Sequence, residues 1–130
     1  MARSDRSPNI LLVCADHLRN DALGCNGNPF IHTPNIDRLA ASGVSFRNAF
    51  TPNPICVPAR ASVTTGNYPH RATGETSNSG RIQDDQPILA HHFNAAGYAT
   101  YAVGKLHYAP YSPPGEPRLV HGFQSVDMTE

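Results

Sequence analysis

Cys56, Pro58, Arg60, Thr65 and Gly66 fall in the order Cys-x-Pro-x-Arg-x-x-x-x-Thr-Gly, which sets a thiol immediately before a segment able to begin a helix. Proline is well placed in a first helical turn, where its missing N–H has no intrahelical partner to lose. The spacing therefore predicts a helix over Ala59 to Thr65, with Cys56 just ahead of its N-terminus. Free backbone amides and the helix dipole favour an anion at such a place. The ordinary fate of a lone cysteine is to be a small buried residue. A phosphatase-type thiolate loop is the nearest chemical competitor, but it needs Cys-x5-Arg to wrap one phosphate. Here Arg60 follows Cys56 too closely for that loop to form.

Two other short segments carry chemistry. Asp16-His17 offers a carboxylate beside an imidazole, and Gly104-Lys105-Leu106-His107 offers a cation and a second imidazole. The elements around them read as a β/α alternation. Asn9 to Cys14 is a short apolar run of the kind that becomes a strand buried on both faces of a parallel sheet. Thr33-Pro34 resembles an N-cap and first helical residue, Ile36, Leu39 and Ala40 give an apolar face, and Gly43 suits the C-terminal cap. Val44 to Phe50 alternates as a second extended segment would, and the prolines at 52, 54 and 58 make 51–58 a loop. A further helix is expected over Pro87 to Ala96, closed by Gly97, then a strand over Tyr98 to Val103. Open α/β sheets gather ligands beyond the carboxyl ends of their strands, so Asp16, Cys56, Lys105 and His107 are expected to converge on one crevice.

These motifs resemble the sulfatase family of the alkaline phosphatase superfamily. The cysteine signature agrees at every fixed position. Asn9-Ile10-Leu11-Leu12-Val13 with Asp16, Thr33-Pro34-Asn35-Ile36-Asp37-Arg38-Leu39-Ala40, Gly104-Lys105-Leu106-His107 and His121-Gly122-Phe123 resemble further family segments in the expected order. The resemblance implies an α/β fold with a mostly parallel sheet flanked by helices. It also implies that Cys56 is converted after synthesis to formylglycine by a formylglycine-generating enzyme. The hydrated aldehyde carries two hydroxyls on one carbon: one attacks sulfur, and the other lets the sulfated group collapse back to the aldehyde and expel sulfate.

Carried over residue by residue, the resemblance makes Cys56, Arg60, Lys105 and His107 catalytic and Asp16, His17 and Cys56 the metal ligands. Arg60 would hold the formylglycine hydroxyl and the metal-site carboxylates, Lys105 would contact sulfate oxygens, and His107 would steady the formylglycine. Asn78, in the polar loop Thr73 to Gly80, would face the substrate, although a solvated turn residue is its ordinary reading. The implied cofactor is one divalent cation, Ca²⁺ first, with Mg²⁺ or Mn²⁺ as other hard-donor choices. Many sulfatases have a second aspartate where this chain has His17. That softer nitrogen donor either shifts the metal preference or contacts substrate instead of metal. His91-His92 cannot chelate one ion from the expected helix, because adjacent helical residues point about 100° apart.

Composition narrows the remaining classes. Ten basic residues balance ten acidic ones among 130 residues, so no charge excess points to nucleic acid or an anionic membrane. No apolar run approaches the roughly 20 residues of a membrane span, and 10–15 is too short for a signal-peptide core, which points to a cytoplasmic location. Cys14, Cys25 and Cys56 suggest neither a disulfide framework nor a four-cysteine zinc site. The family's chains are several times longer, so residues 1–130 are expected to be the N-terminal part of one catalytic domain, with no internal boundary and with other metal ligands elsewhere. The expected reaction is hydrolysis of a small-molecule or sugar sulfate ester. The alternatives are a phosphonate monoester or phosphodiester hydrolase with the same nucleophile, and a non-catalytic remnant or binding module.

Overall fold

The computed structural model describes residues 7–110 and 121–128. It contains two compact units, Met1–Ala49 and Phe50–Glu130. No helix among the described residues is long and apolar enough to cross a membrane.

In the first unit two 3-10 turns, Asn20–Ala22 and Gly24–Asn26, precede helix α1, Pro34–Ser42. Thr33 and Gly43 flank that helix as the sequence predicts, with Pro34 in its first turn. The Thr33 side chain does not cap the helix. Its hydroxyl accepts from Gly24 N at 2.9 Å and donates to Asp37 Oδ1 at 2.8 Å, and Asp37 Oδ1 also accepts from Cys25 N at 2.7 Å. The start of α1 is thereby tied to the second 3-10 turn. Glycine at 24 leaves room for this contact, since a Cβ there would lie 2.6 Å from Asp37 Oδ2 and would push the carboxylate aside.

Asn9 to Cys14 forms no strand, contrary to expectation. Leu11 and Val13 are 87% and 79% exposed. A run that is apolar on both faces becomes a strand only when neighbours complete its ladder and cover it. The described residues of this unit supply no such neighbour. Val44 to Phe50 likewise forms a turn and irregular chain in place of the expected extended segment.

The second unit holds helices α2 (Cys56–Thr65), α3 (Pro69–Ala72) and α4 (Leu89–Ala95), followed by strands β1 (Tyr101–Val103) and β2 (Ser125–Asp127). The strands are parallel, with Tyr101 opposite Ser125 and Val103 opposite Asp127. This is the parallel pairing expected of an α/β fold. Ala61, Ala72, Ile82, Ile88 and Ala90 form the core, with Tyr108 and Phe123 packed against it. Alanine at three of these positions lets the helices approach closely, so the core is close-packed although few large side chains enter it.

Helix α4 begins later than Pro87, because Ile88 is extended at φ −113°, ψ 129° and serves as the N-cap. Gly97, in the left-handed region at φ 84°, follows its end. Strand β1 is confined to 101–103, where β2 supplies ladder partners.

Candidate functional site

Helix α2 begins at Cys56 itself, with Ile55 as N-cap. The sequence reading placed the start at Pro58, but proline is tolerated throughout a first turn because none of those N–H groups has an intrahelical acceptor. Cys56 is therefore the first helical residue, half-buried and not in a disulfide. Arg60, four residues on, projects from the same face one turn later.

Much of the signature is explained by the geometry of α2. Val57 and Pro58 are fully buried beneath the first turn, and Ala61 is fully buried in the core, so the opposite face carries Cys56 and Arg60. Thr65 donates its hydroxyl to Ala61 O at 2.7 Å. Gly66 adopts φ 70° and returns its N–H to Ser62 O. Thr65-Gly66 thus ends the helix, the left-handed cap being cheap only for glycine.

The chain leaves β1 at Gly104, whose N–H donates to Asp127 O at 2.8 Å and whose φ of 90° turns it out of the sheet. Leu106 then buries itself, while Lys105 and His107 stay half-buried on either side. His107 sits at φ 45°, a left-handed conformation uncommon for a residue with a Cβ. Strain of that kind is held where the surroundings over-determine it. Arg60 Nη1 donates to Lys105 O at 2.5 Å, joining α2 to the carboxyl end of β1.

Asn78 meets the same helix end. Its Oδ1 accepts from Val57 N at 3.0 Å, satisfying an amide of the first turn that the helix itself leaves open. The second unit accordingly brings Asn78 to the first turn of α2 beside Cys56 and ties Arg60 of the same helix to the Lys105 backbone, with His107 two residues further along the chain. In the first unit Asp16 Oδ1 and His17 Nε2 lie 3.9 Å apart, both exposed, with His17 at φ 57°. A carboxylate oxygen and an imidazole nitrogen at that separation fit a divalent cation in kind, as two of the six or more donors a hard ion takes.

Sequence reasoning missed Asn53. Its Oδ1 accepts from Ile55 N at 2.8 Å and its Nδ2 donates to Thr76 O at 3.0 Å. An asparagine two residues before a helix cap in a proline-rich loop is the available signal, since such side chains hydrogen-bond their own backbone two residues on. The His121-Gly122-Phe123 segment also proves structural in position. Phe123 packs on the core, and the His121 ring meets the Tyr108 ring edge-on at 5.0 Å. Burial, with the nearby Arg81 and His91 charges adding, lowers the pKa of His121.

The chain is similar to known proteins. The sulfatase family model matches residues 8–128. An arylsulfatase of Clostridium perfringens is 41% identical over 104 residues, covering 79% of this chain and 21% of that protein. A structure solved with its substrate D-glucosamine-2-N,6-O-disulfate superposes with a TM-score of 0.69 at 34% identity, covering 82% of this chain and 20% of the other. The phosphonate monoester hydrolase of Agrobacterium radiobacter gives a TM-score of 0.75 at 30% identity over 94% of this chain and 26% of that one. The chain thus spans between a fifth and about a quarter of the length of these relatives. Its parallel strand pair and flanking helices are part of the alkaline phosphatase-like α/β fold. By the match along nearly its whole length, the chain belongs to the sulfatase family.

Proposed function

We propose that these residues are the N-terminal part of a single catalytic domain that hydrolyses sulfate monoesters, with Cys56, oxidised to formylglycine, as nucleophile. The observation that carries this reading is the placement of Cys56 on the first turn of α2, one turn from an Arg60 bound to the Lys105 carbonyl. A side chain there lies at the positive end of a helix, one turn from the Arg60 side chain, the environment in which a sulfuryl anion is stabilised.

Within this reading Arg60 orients the nucleophile, Lys105 neutralises charge on the sulfuryl oxygens, and His107 holds or moves a proton at the side chain of residue 56. Asn78, its oxygen engaged by Val57 N, retains its NH₂ group as a donor toward substrate. Asp16, His17 and Cys56 would hold the divalent cation, Ca²⁺ first by its oxygen donors, then Mg²⁺ or Mn²⁺. When bound, such an ion draws charge from the sulfuryl oxygens and lowers the pKa of a bound hydroxyl. A formylglycine-generating enzyme would act on Cys56.

The glucosamine disulfate bound by one structural relative supports a sugar sulfate as substrate. A phosphonate monoester is the second reading, favoured by the likeness to the Agrobacterium radiobacter hydrolase. Intact-mass analysis of the tryptic peptide 48–60 from the full-length protein, with turnover assays on an arylsulfate and a phenylphosphonate monoester, tests both. An aldehyde mass with preferred sulfate turnover supports the first reading. A plain thiol with no turnover of either ester removes both.

A further inference from the structure

Cys56 is held between two backbone amides that the helix leaves without partners, and each is satisfied by an asparagine side chain. Ile55 N donates to Asn53 Oδ1 at 2.8 Å, and Val57 N donates to Asn78 Oδ1 at 3.0 Å. The two asparagines are themselves connected, since Asn53 Nδ2 donates to Thr76 O at 3.0 Å, two residues before Asn78. The loop that presents Asn78 is braced from within. Glu75 Oε2 accepts from Ser79 Oγ at 2.5 Å and Ser77 Oγ at 3.1 Å, and these bonds, that of Ser79 foremost, hold the Glu75 carboxyl below its usual range. Thr73 Oγ1 donates to Glu75 O at 2.7 Å, bracing the loop's near end.

From this we infer that Asn53 is a positioning residue for the nucleophile. Its carboxamide docks the braced 73–80 loop on the segment entering α2, so that Asn78 reaches Val57 N–H and the first turn presents residue 56 in one orientation. The division of labour follows from the two ends of the amide. Oδ1 shapes the approach to the helix through Ile55, while Nδ2 sets the register of a loop 23 residues away. A nucleophile displaced by even a fraction of an ångström from its line of attack loses rate, whereas substrate binding through the cations is less sensitive. The inference rests on the reading of Cys56 as nucleophile.

Asn53→Asp separates the two ends, because the carboxylate still accepts from Ile55 N but cannot donate to Thr76 O. In the full-length protein acting on an arylsulfate, N53D is expected to lower kcat about three- to tenfold, the scale of one neutral hydrogen bond, with KM changed less than about twofold. The Val57 amide has no intrahelical acceptor, so its hydrogen exchange reports the Asn78 bond directly, and it should accelerate in N53D. N53D combined with N78A should be no slower in kcat than N78A alone, since both cut one chain of contacts. Wild-type kcat and Val57 exchange in N53D, or fully additive losses in the double variant, would overturn the inference. Should N53D fail to fold, N53S decides on the same readouts, because serine can satisfy Ile55 N but cannot reach Thr76 O. C56A separates the two claims: full activity in C56A removes the nucleophile reading, while the exchange rate of Val57 still judges whether Asn53 docks the loop.

Discussion

Arg60 and Lys105, 45 residues apart in sequence, are joined by a hydrogen bond from the Arg60 guanidinium to the Lys105 carbonyl oxygen. The side chain of one cation thus fixes the backbone that presents the other. The Lys105 main chain is tied to α2 by a direct contact, and its ammonium reaches out from that anchored point on its own stem. Because the guanidinium is planar and carries several donors, it can bind this carbonyl and still offer N–H groups toward residue 56.

Arg60→Lys is expected to lower kcat/KM for an arylsulfate by tenfold or more, on the scale of about 1.5–3 kcal/mol for a charge-assisted hydrogen bond. An ammonium retains charge but lacks the fork that makes two directed contacts at once. Steady-state kinetics of the full-length variant check this, and wild-type kinetics would show that the Lys105 contact is dispensable.

Cys56→Ala should abolish turnover in the full-length protein while leaving its thermal stability close to wild type. The residue is half-buried at the head of a helix and is not one of the core side chains. Loss of a covalent nucleophile costs far more than about a hundredfold in kcat, so retention of more than about one per cent of the rate contradicts the role.

Residues 1–130 by themselves should bind Ca²⁺, Mg²⁺ or Mn²⁺ weakly and turn over no arylsulfate. The proposed ligands Asp16, His17 and Cys56 would supply three donors, at most half of what a hard cation takes. Calorimetric titration with each ion, beside a turnover assay, measures both. Tight stoichiometric binding with repeated turnover would mean that a complete site lies within these residues.

Gly122→Ala should destabilise the chain by about 1–3 kcal/mol. Gly122 has φ 82°, and an added Cβ would fall 2.1 Å from His91 Cδ2. The double variant with His91→Ala removes the clash but not the backbone strain, so it should recover part of the loss. Chemical denaturation of the single and double variants distinguishes the two contributions.

Acidification should weaken each unit in a different range. Asp37 is held below the usual carboxylate range, first by the Thr33 hydroxyl, which outweighs the opposing cost of burial, with Cys25 N–H adding a smaller lowering. Its folded pKa is depressed, so its stabilisation is present above the unfolded value of about 3.9 and is lost as pH falls through the folded one. His121 is also depressed, here by burial first. A histidine kept neutral by folding stabilises above its unfolded pKa of about 6.5, and that contribution is lost as pH falls from there to the folded value. Melting curves from neutrality to about pH 5 should show a decline that His121→Asn reduces, while the Asp37 loss should appear below about pH 4 and shrink in Thr33→Ala.

The family of this chain and the course of α2 were legible without coordinates because both reside in residue types at fixed spacing. Cys56, Arg60 and the terminating Thr65-Gly66 lie within one helix, where 3.6 residues per turn determines which side chains share a face. Thr33-Pro34 to Gly43 was legible for the same local reason, with proline and glycine restricting the backbone by their own covalent structure. Asn9 to Cys14 was not. An apolar run states what it would bury but not whether a partner strand is present, and ladder hydrogen bonds belong to the pair. Tertiary structure alone decided that the Arg60 guanidinium finds the Lys105 carbonyl, that Asn78 serves Val57 N, and that Asn53 docks the loop bearing it. Each of these bonds joins residues 21 to 45 positions apart. No local propensity encodes such a contact: it forms only once packing around Ala61, Ala72 and Ile82 has brought α2, the 73–80 loop and the end of β1 to one place.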